Sequence, residues 1–326
     1  MSKRMSWLAL ASLYFATVAT AIGAPAQPPN YPTKPVTIIS DAAPGSTPDV
    51  DTRFLAAAFT KMWRKQVIVV NHPGANGSIA ARYAAQAAAD GYTLYDPVLS
   101  SFIALPSVAP NLPVRLPRDF SAIGYIAENP MFIAVNPSLG ISTLPQLIAA
   151  AKKHPGKISV ASTGVTRLTG LTGLLLQKRA GVKFLVVPYT RGPAAALGDV
   201  AGGRVSFIIE GYSGIAGAVR AHRVKLIAVA STERLPQFPN LPTVAETLPG
   251  FDAVGWQVLL APRGTPQPII NKVSADLTKV VNDPAFKAKL GKVGSYTRTM
   301  TPAQVVAFVK KEQATWLPLR KSIGKK

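Results

Sequence analysis

The feature that most constrains this chain is a repeated alternation. Short, almost uninterrupted apolar runs rich in β-branched residues take turns with longer amphipathic stretches. The runs are Val36–Ser40, Val67–Val70, Phe132–Val135, Lys157–Val160, Phe184–Val187, Val205–Ile209 and Leu226–Val229. Continuous apolarity, unlike alternation at every second residue, fits a strand covered on both faces. Strand–helix alternation then predicts an α/β fold of mostly parallel sheets flanked by helices. Helix starts can be read between the runs. Thr47 followed by Pro48 predicts a capped helix running to Trp63. Asp283-Pro284 opens another, and Thr301-Pro302-Ala303-Gln304 has the spacing of a capping box, predicting a final helix towards Trp316.

A chain of 326 residues has material for about two domains of roughly 150 residues each. Turn-rich stretches at Leu105–Pro117 and Leu235–Pro249 mark places where it divides. The second is followed by an apolar stretch, Phe251–Pro262, and three helical segments. If those segments return to the first sheet, the first domain is discontinuous. The expected division is residues 27–129 plus 256–326 for one domain and 130–255 for the other. Two crossings between them make a hinge with a cleft.

Residues 1–26 read as an export signal. Lys3 and Arg4 precede an uncharged apolar stretch, Trp7–Ile22, and Ala24-Pro25-Ala26 has the small-residue pattern of a cleavage site. The stretch is shorter than the about 20 residues a membrane span requires. Cleavage is expected after Ala26, and the mature chain is expected in the periplasm. The chain has no cysteine, which removes disulfides, thiolate metal sites and thiol nucleophiles. Its three histidines, His72, His154 and His222, have no metal-ligand spacing. The formal charge is +21, which favours an anionic partner or capture of small anions. The basic residues form no compact stripe with interleaved aromatics, so nucleic acid is not expected as a partner.

No phosphate-binding loop, zinc-protease helix or nucleophile elbow is present; Gly211-Tyr212-Ser213-Gly214 has its second glycine one place too early. Three loops rich in Gly, Ser and Thr do recur, each between a strand and a helix: Ala43–Asp49, Asn71–Ser78 and Ser162–Thr166. In parallel α/β sheets such loops lie at the carboxyl edge, where ligands bind. Small residues let main-chain N–H groups approach a ligand, and the following helix points unpaired donors and a positive dipole at it. The same residues also serve turns and caps with no ligand at all. Asp49 reads first as a dipole-capping carboxylate, His72 as a plain loop residue, Arg167 and Arg191 as surface charge able to clasp a carboxylate, and Trp256 as packing. One exposed loop is too weak for micromolar binding, which needs about 8 kcal/mol. Two loops facing each other across a closing cleft can supply it, at roughly 1.5–3 kcal/mol for each hydrogen bond to a charged group.

An ordered set of short motifs runs from Tyr31 to the C-terminus: Tyr31-Pro-Thr-Lys-Pro35, Ala43-Pro-Gly-Ser-Thr-Pro-Asp49, Asn71-His-Pro-Gly-Ala-Asn-Gly77, Asp90-Gly-Tyr-Thr-Leu94, Val187-Pro-Tyr189, Gly202-Gly-Arg-Val205, Leu241-Pro-Thr-Val-Ala-Glu246 and Ala261-Pro-Arg-Gly-Thr-Pro266. Together they resemble the Bug family, the TctC-like periplasmic solute-binding receptors of tripartite tricarboxylate transporters. The resemblance implies a two-domain, type II "Venus flytrap" that closes on a small carboxylate and delivers it to the membrane subunits of such a transporter. It implies no catalytic residue, metal or cofactor, and a monomer is expected. By motif it assigns ligand contacts to Gly45, Ser46, Thr47, Asp49, Ser100 and Ser101 on one domain. It assigns Ser162, Thr163, Gly164, Tyr189 and Glu210 to the other. Val165, Thr169 and Gly170 stand where the family often has Asn, Gln and His, and Glu210 stands where Asp is usual. Those departures predict a more apolar far end and tilt the expectation towards an aromatic or monocarboxylate ligand. The alternatives are a periplasmic sensor component and an exported enzyme.

Overall fold

The computed structural model describes residues 30–108, 115–189 and 192–322. The expected export segment and its cleavage point, Arg191, and part of the first turn-rich stretch lie outside the described residues.

Among the described residues the seven apolar runs and three further strands form two five-stranded sheets. The first joins β1 (Val36–Ser40), β2 (Val67–Asn71), β3 (Thr93–Asp96), β4 (Phe120–Pro130) and β10 (Val254–Pro262) in the order β2-β1-β3-β10-β4. The second joins β5 (Phe132–Val135), β6 (Ser159–Ser162), β7 (Leu185–Pro188), β8 (Phe207–Glu210) and β9 (Lys225–Val229) in the order β7-β6-β8-β5-β9. Helices α1 (Thr47–Trp63), α2 (Ser78–Gln86), α3 (Leu99–Val108), α8 (Gln267–Asn282), α9 (Pro284–Lys292) and α10 (Pro302–Ser322) accompany the first sheet. Helices α4 (Leu144–Lys153), α5 (Leu168–Ala180), α6 (Pro193–Ala201) and α7 (Tyr212–Arg220) accompany the second. The fold is a two-domain α/β fold. None of the helices among the described residues is long and apolar enough to cross a membrane.

The continuous apolarity of the runs has the expected cause. Ile38 joins a core against α1 and α8, whereas its neighbour Ile39 joins a core on the opposite face. Phe207 and Ile209 face one core of the second sheet and Ile208 the other. Both faces are covered, so every position is apolar.

By direction each sheet has one strand reversed, β10 in the first and β5 in the second. These are the strands entered from the other sheet. β4 ends at Pro130 and, after Met131 alone, β5 begins, with Phe132 opposite Glu210 and Val229 at the carboxyl ends of β8 and β9. β10 likewise begins opposite the end of β4, with Val254 against Pro130. A chain that crosses between carboxyl edges must run backwards in the sheet it enters. The two crossings also bond to each other: Ala230 N–H donates to Met131 O at 2.7 Å and Met131 N–H to Ala253 O at 3.4 Å.

Local signals mostly hold. Thr301 and Gln304 form the reciprocal capping box, at 2.8 and 3.3 Å, and Asp283 accepts from Ala285 N–H at 2.9 Å. The cap of α1 is Ser46 rather than Thr47, and it makes no side-chain capping bond. β6 starts two residues later than its apolar run, at Ser159. Strands β3, β4 and β10 are absent from the apolar runs because they carry Asp96, Gly124, Glu128, Asn129, Gly255 and Gln257.

Candidate functional site

The carboxyl edges of the two sheets face each other across a partly open cavity of about 70 Å³. Four helices begin at its wall. Ser46 and Pro48 bring the start of α1, which follows β1. Leu99 and Ser100 open α3, after β3. Arg167, Leu168 and Thr169 open α5, after β6, and Pro193 opens α6, after β7. The first-turn amides of a helix have no carbonyl within it to bond, so each start offers N–H donors and a positive dipole end. Val98, Leu99, Met131, Leu168 and Trp256 supply apolar wall, and Asn129, Thr163 and Glu210 supply polar groups.

The lobes touch around this cavity. Arg167 Nη2 donates to Asp41 O at 3.1 Å. Ser213 donates to Thr47 Oγ1 through its main-chain N–H at 3.2 Å and its hydroxyl at 2.7 Å. Thr166 Oγ1 donates to Asn76 Oδ1. A Cβ on Gly211 would stand 2.2 Å from Thr47 Oγ1, so glycine there permits the approach.

The electrostatics are those of buried acids around one guanidinium. Asp41 is fully buried; burial pushes its carboxyl up, while Arg167 and bonds from Ser101 and Val98 hold it down. Glu210 is 4% exposed. Burial raises its carboxyl to about 7, opposed by the Gly211 N–H, the Thr163 hydroxyl and Arg167. Its Oε1 accepts from Gly211 N–H at 2.9 Å, and its Oε2 makes no hydrogen bond of ordinary length. Behind the cavity, burial raises Asp96 to about 7 although Thr52, Gln257 and Ser40 donate to it. At the hinge, Asn129 Nδ2 donates to Asp51 and to Ser295 Oγ, tying β4 to α1 and to the segment after α9.

Of the ligand contacts assigned from the sequence, Ser46, Ser100, Thr163 and Glu210 line the cavity. The others stand elsewhere. Gly45 is exposed and gives its N–H to Asp49 Oδ2 at 2.9 Å. Asp49 accepts that bond and another from Asn71 Nδ2 and pairs with Arg53, which clasps the loop. Thr47 is the latch to Ser213. Ser101 donates to Asp41. Ser162 accepts from Gly164 N–H at 3.2 Å and shapes its own loop. Tyr189 is half-buried against the core of the second sheet and donates to Asp199. His72 packs on Tyr83 with ring centres 4.9 Å apart, while the adjacent Pro73 lines the cavity. Arg167, read from sequence as surface charge, lies in the cavity wall. Trp256 does both jobs: it packs between Phe102 and Phe308, bonds Glu312 through Nε1 at 3.0 Å, and lines the cavity. Pro193, Met131 and Leu168 were missed; the Gly192-Pro193 step, a helix start, is the signal that marks the first of them.

Two α/β lobes joined by a paired-strand hinge, with a small cavity at their facing carboxyl edges, define a solute-binding protein of the Venus flytrap type. Residues 52–325 match the model of the tripartite tricarboxylate transporter family receptor, TctC, and the chain belongs to that family. It is 30% identical over 321 residues to Protein BugT of Bordetella pertussis, covering 98% of each chain. The structure is similar to that of R. palustris Rpa4515 with adipate, with a TM-score of 0.85 and 28% identity over 90% of this chain and 98% of that one. It is also similar to MatC from Rhodopseudomonas palustris with bound malate, with a TM-score of 0.79 and 28% identity over 89% and 99%.

Proposed function

We propose that this protein captures a small carboxylate in the periplasm and delivers it to the membrane subunits of a tripartite tricarboxylate transporter. The first lobe takes residues 27–129 plus 256–326 and the second residues 130–255, the strand ends Pro130, Val254 and Gly255 at the crossings still pairing in the first sheet, and the guest sits between them. The observation that carries this reading is the convergence of helix starts from both lobes, with the Arg167 guanidinium, on one small cavity. Such a site holds negative charge with main-chain donors and needs no metal. Ser46 and Ser100 meet the guest from one lobe and Thr163, Arg167 and Glu210 from the other. Val98, Leu99, Met131, Leu168 and Trp256 around them favour a guest with an apolar body, an aromatic or monocarboxylic acid among them. The adipate and malate in the two Rhodopseudomonas palustris structures support the carboxylate class.

Calorimetric titration of ligand-free protein with a panel of carboxylic acids tests the proposal. One-to-one binding at about micromolar Kd or tighter, near 8 kcal/mol, is the expected result for at least one acid. Folded, ligand-free protein that binds none of them overturns it.

A further inference from the structure

Glu210 is a puzzle for a site that accepts anions. Its carboxyl closes β8 inside the cavity wall, almost wholly buried. Oε1 is pinned as an acceptor by the Gly211 N–H. Oε2 is buried and makes no hydrogen bond of ordinary length, and Glu210 lies in the lining of the same small cavity beside the Thr163 hydroxyl. Among the described residues Arg167 is the one cationic side chain in the cavity wall. One guanidinium cannot neutralise both a guest carboxylate and Glu210, and like charges enclosed together disfavour double ionisation.

Resting on the carboxylate reading above, we propose that capture is proton-coupled: as the acid enters, Glu210 takes one proton from solvent on Oε2 and donates it in a hydrogen bond to the guest. The pinned oxygen and the free one then have separate roles, Oε1 accepting from the protein and Oε2 donating to the ligand. The group is already poised, because burial lifts its carboxyl to about 7 before any anion arrives. The surroundings leave it as the group that responds. From the loop before α5 comes Arg167, which stays charged. From the loop after β1 comes Asp41, which lies behind Arg167 and is held by Ser101 and Val98. β5 presents Phe132 opposite Glu210, with no charge. α6 presents Pro193, and β10 presents Gly255 and Trp256, with Glu312 bonded to the Trp256 indole nitrogen. His72 packs against the Tyr83 ring.

The sign follows from linkage. An anionic guest raises the Glu210 pKa further, so binding takes up a proton wherever Glu210 is ionised in the free protein. The Kd is then flat on the acid side of about 7 and rises by up to about tenfold per pH unit above it. Adipate, malate and benzoate are titrated from about pH 5.5 to about pH 8.5, in buffers of different ionisation enthalpy. The expected result is an uptake approaching one proton per ligand at the alkaline end, with the slope abolished in Glu210→Gln. The buffer comparison uses the wild-type protein alone and stands even where the variant fails to fold. A flat Kd, binding that tightens with pH, or a slope retained in folded Glu210→Gln overturns the proton coupling and leaves carboxylate capture intact. Absence of binding by all three acids at every pH overturns both.

Discussion

A single methyl group at Gly211 tests whether the lobes meet as the structure shows. Gly211 precedes α7 with φ −65 and ψ 149, a conformation alanine adopts freely. Alanine there also keeps the main-chain N–H that bonds Glu210. The added Cβ would instead stand 2.2 Å from Thr47 Oγ1 and 2.8 Å from Thr47 Cβ, both on the other lobe. The clash therefore falls on closure and not on folding. Overpacking of this kind costs about 1–3 kcal/mol. Charged to the closing step alone, that reduces the competent population and raises the apparent Kd by about 5–150-fold. Neither Gly211 nor Thr47 lines the cavity, so the loss should be the same factor for adipate, malate and benzoate. Calorimetry on Gly211→Ala, with small-angle scattering to read the lobe separation, measures both consequences. The melting temperature of the ligand-free variant should move by less than about 2–4 °C, the shift that 1 kcal/mol produces. Unchanged affinity would refute the closed contact between α1 and α7. A loss that differs from acid to acid would place this pair against the ligand instead.

Three further outcomes follow from named groups. Arg167→Met removes the cavity's guanidinium and its bond to Asp41 O; at about 1.5–3 kcal/mol for a charged hydrogen bond, the Kd for a carboxylate should rise at least tenfold, and wild-type affinity by calorimetry would refute its role. Asp96 is raised to about 7 by burial, so its folded form holds a proton that the unfolded chain releases near 4; its contribution to stability is full below about pH 4 and lost as pH rises through about 7. Ligand-free protein should accordingly melt several degrees higher at about pH 5 than at about pH 8, and Asp96→Asn should reduce that difference by scanning calorimetry; an unchanged difference in a folded variant would contradict it. Trp256 lines the cavity while its Nε1–H is held by Glu312, so ligand should change the intrinsic fluorescence in the wild type and not in Trp256→Phe; a signal that survives the substitution arises elsewhere.

What could be read from the sequence, and what could not, divides along one physical line. β1 and β5 match their apolar runs residue for residue because both of their faces are packed, and packing alone dictates their composition. β4 and β10 have the same buried geometry but carry Asn129, Gly255 and Gln257, since they also form the hinge and the cavity wall. Asn129 is there to reach Asp51 and Ser295, and Gln257 to reach Asp96. Their polarity is correct for the site and misleading for the strand. The site behaves the same way. Loop composition located Ser46 and Thr163, because small residues at a strand–helix junction are a local requirement. Arg167 looked like surface charge because its partner is the main-chain oxygen of Asp41, 126 residues away on the other lobe, and no composition rule reports a carbonyl. The resemblance assigns Thr47 to the ligand, and nothing in its loop reveals its bond to Ser213, 166 residues further on. Local chemistry thus reports which loops are built to approach something. Whether a side chain there meets the guest or the opposite lobe is decided by the closed fold, which makes latch residues and ligand residues indistinguishable until the two sheets are brought face to face.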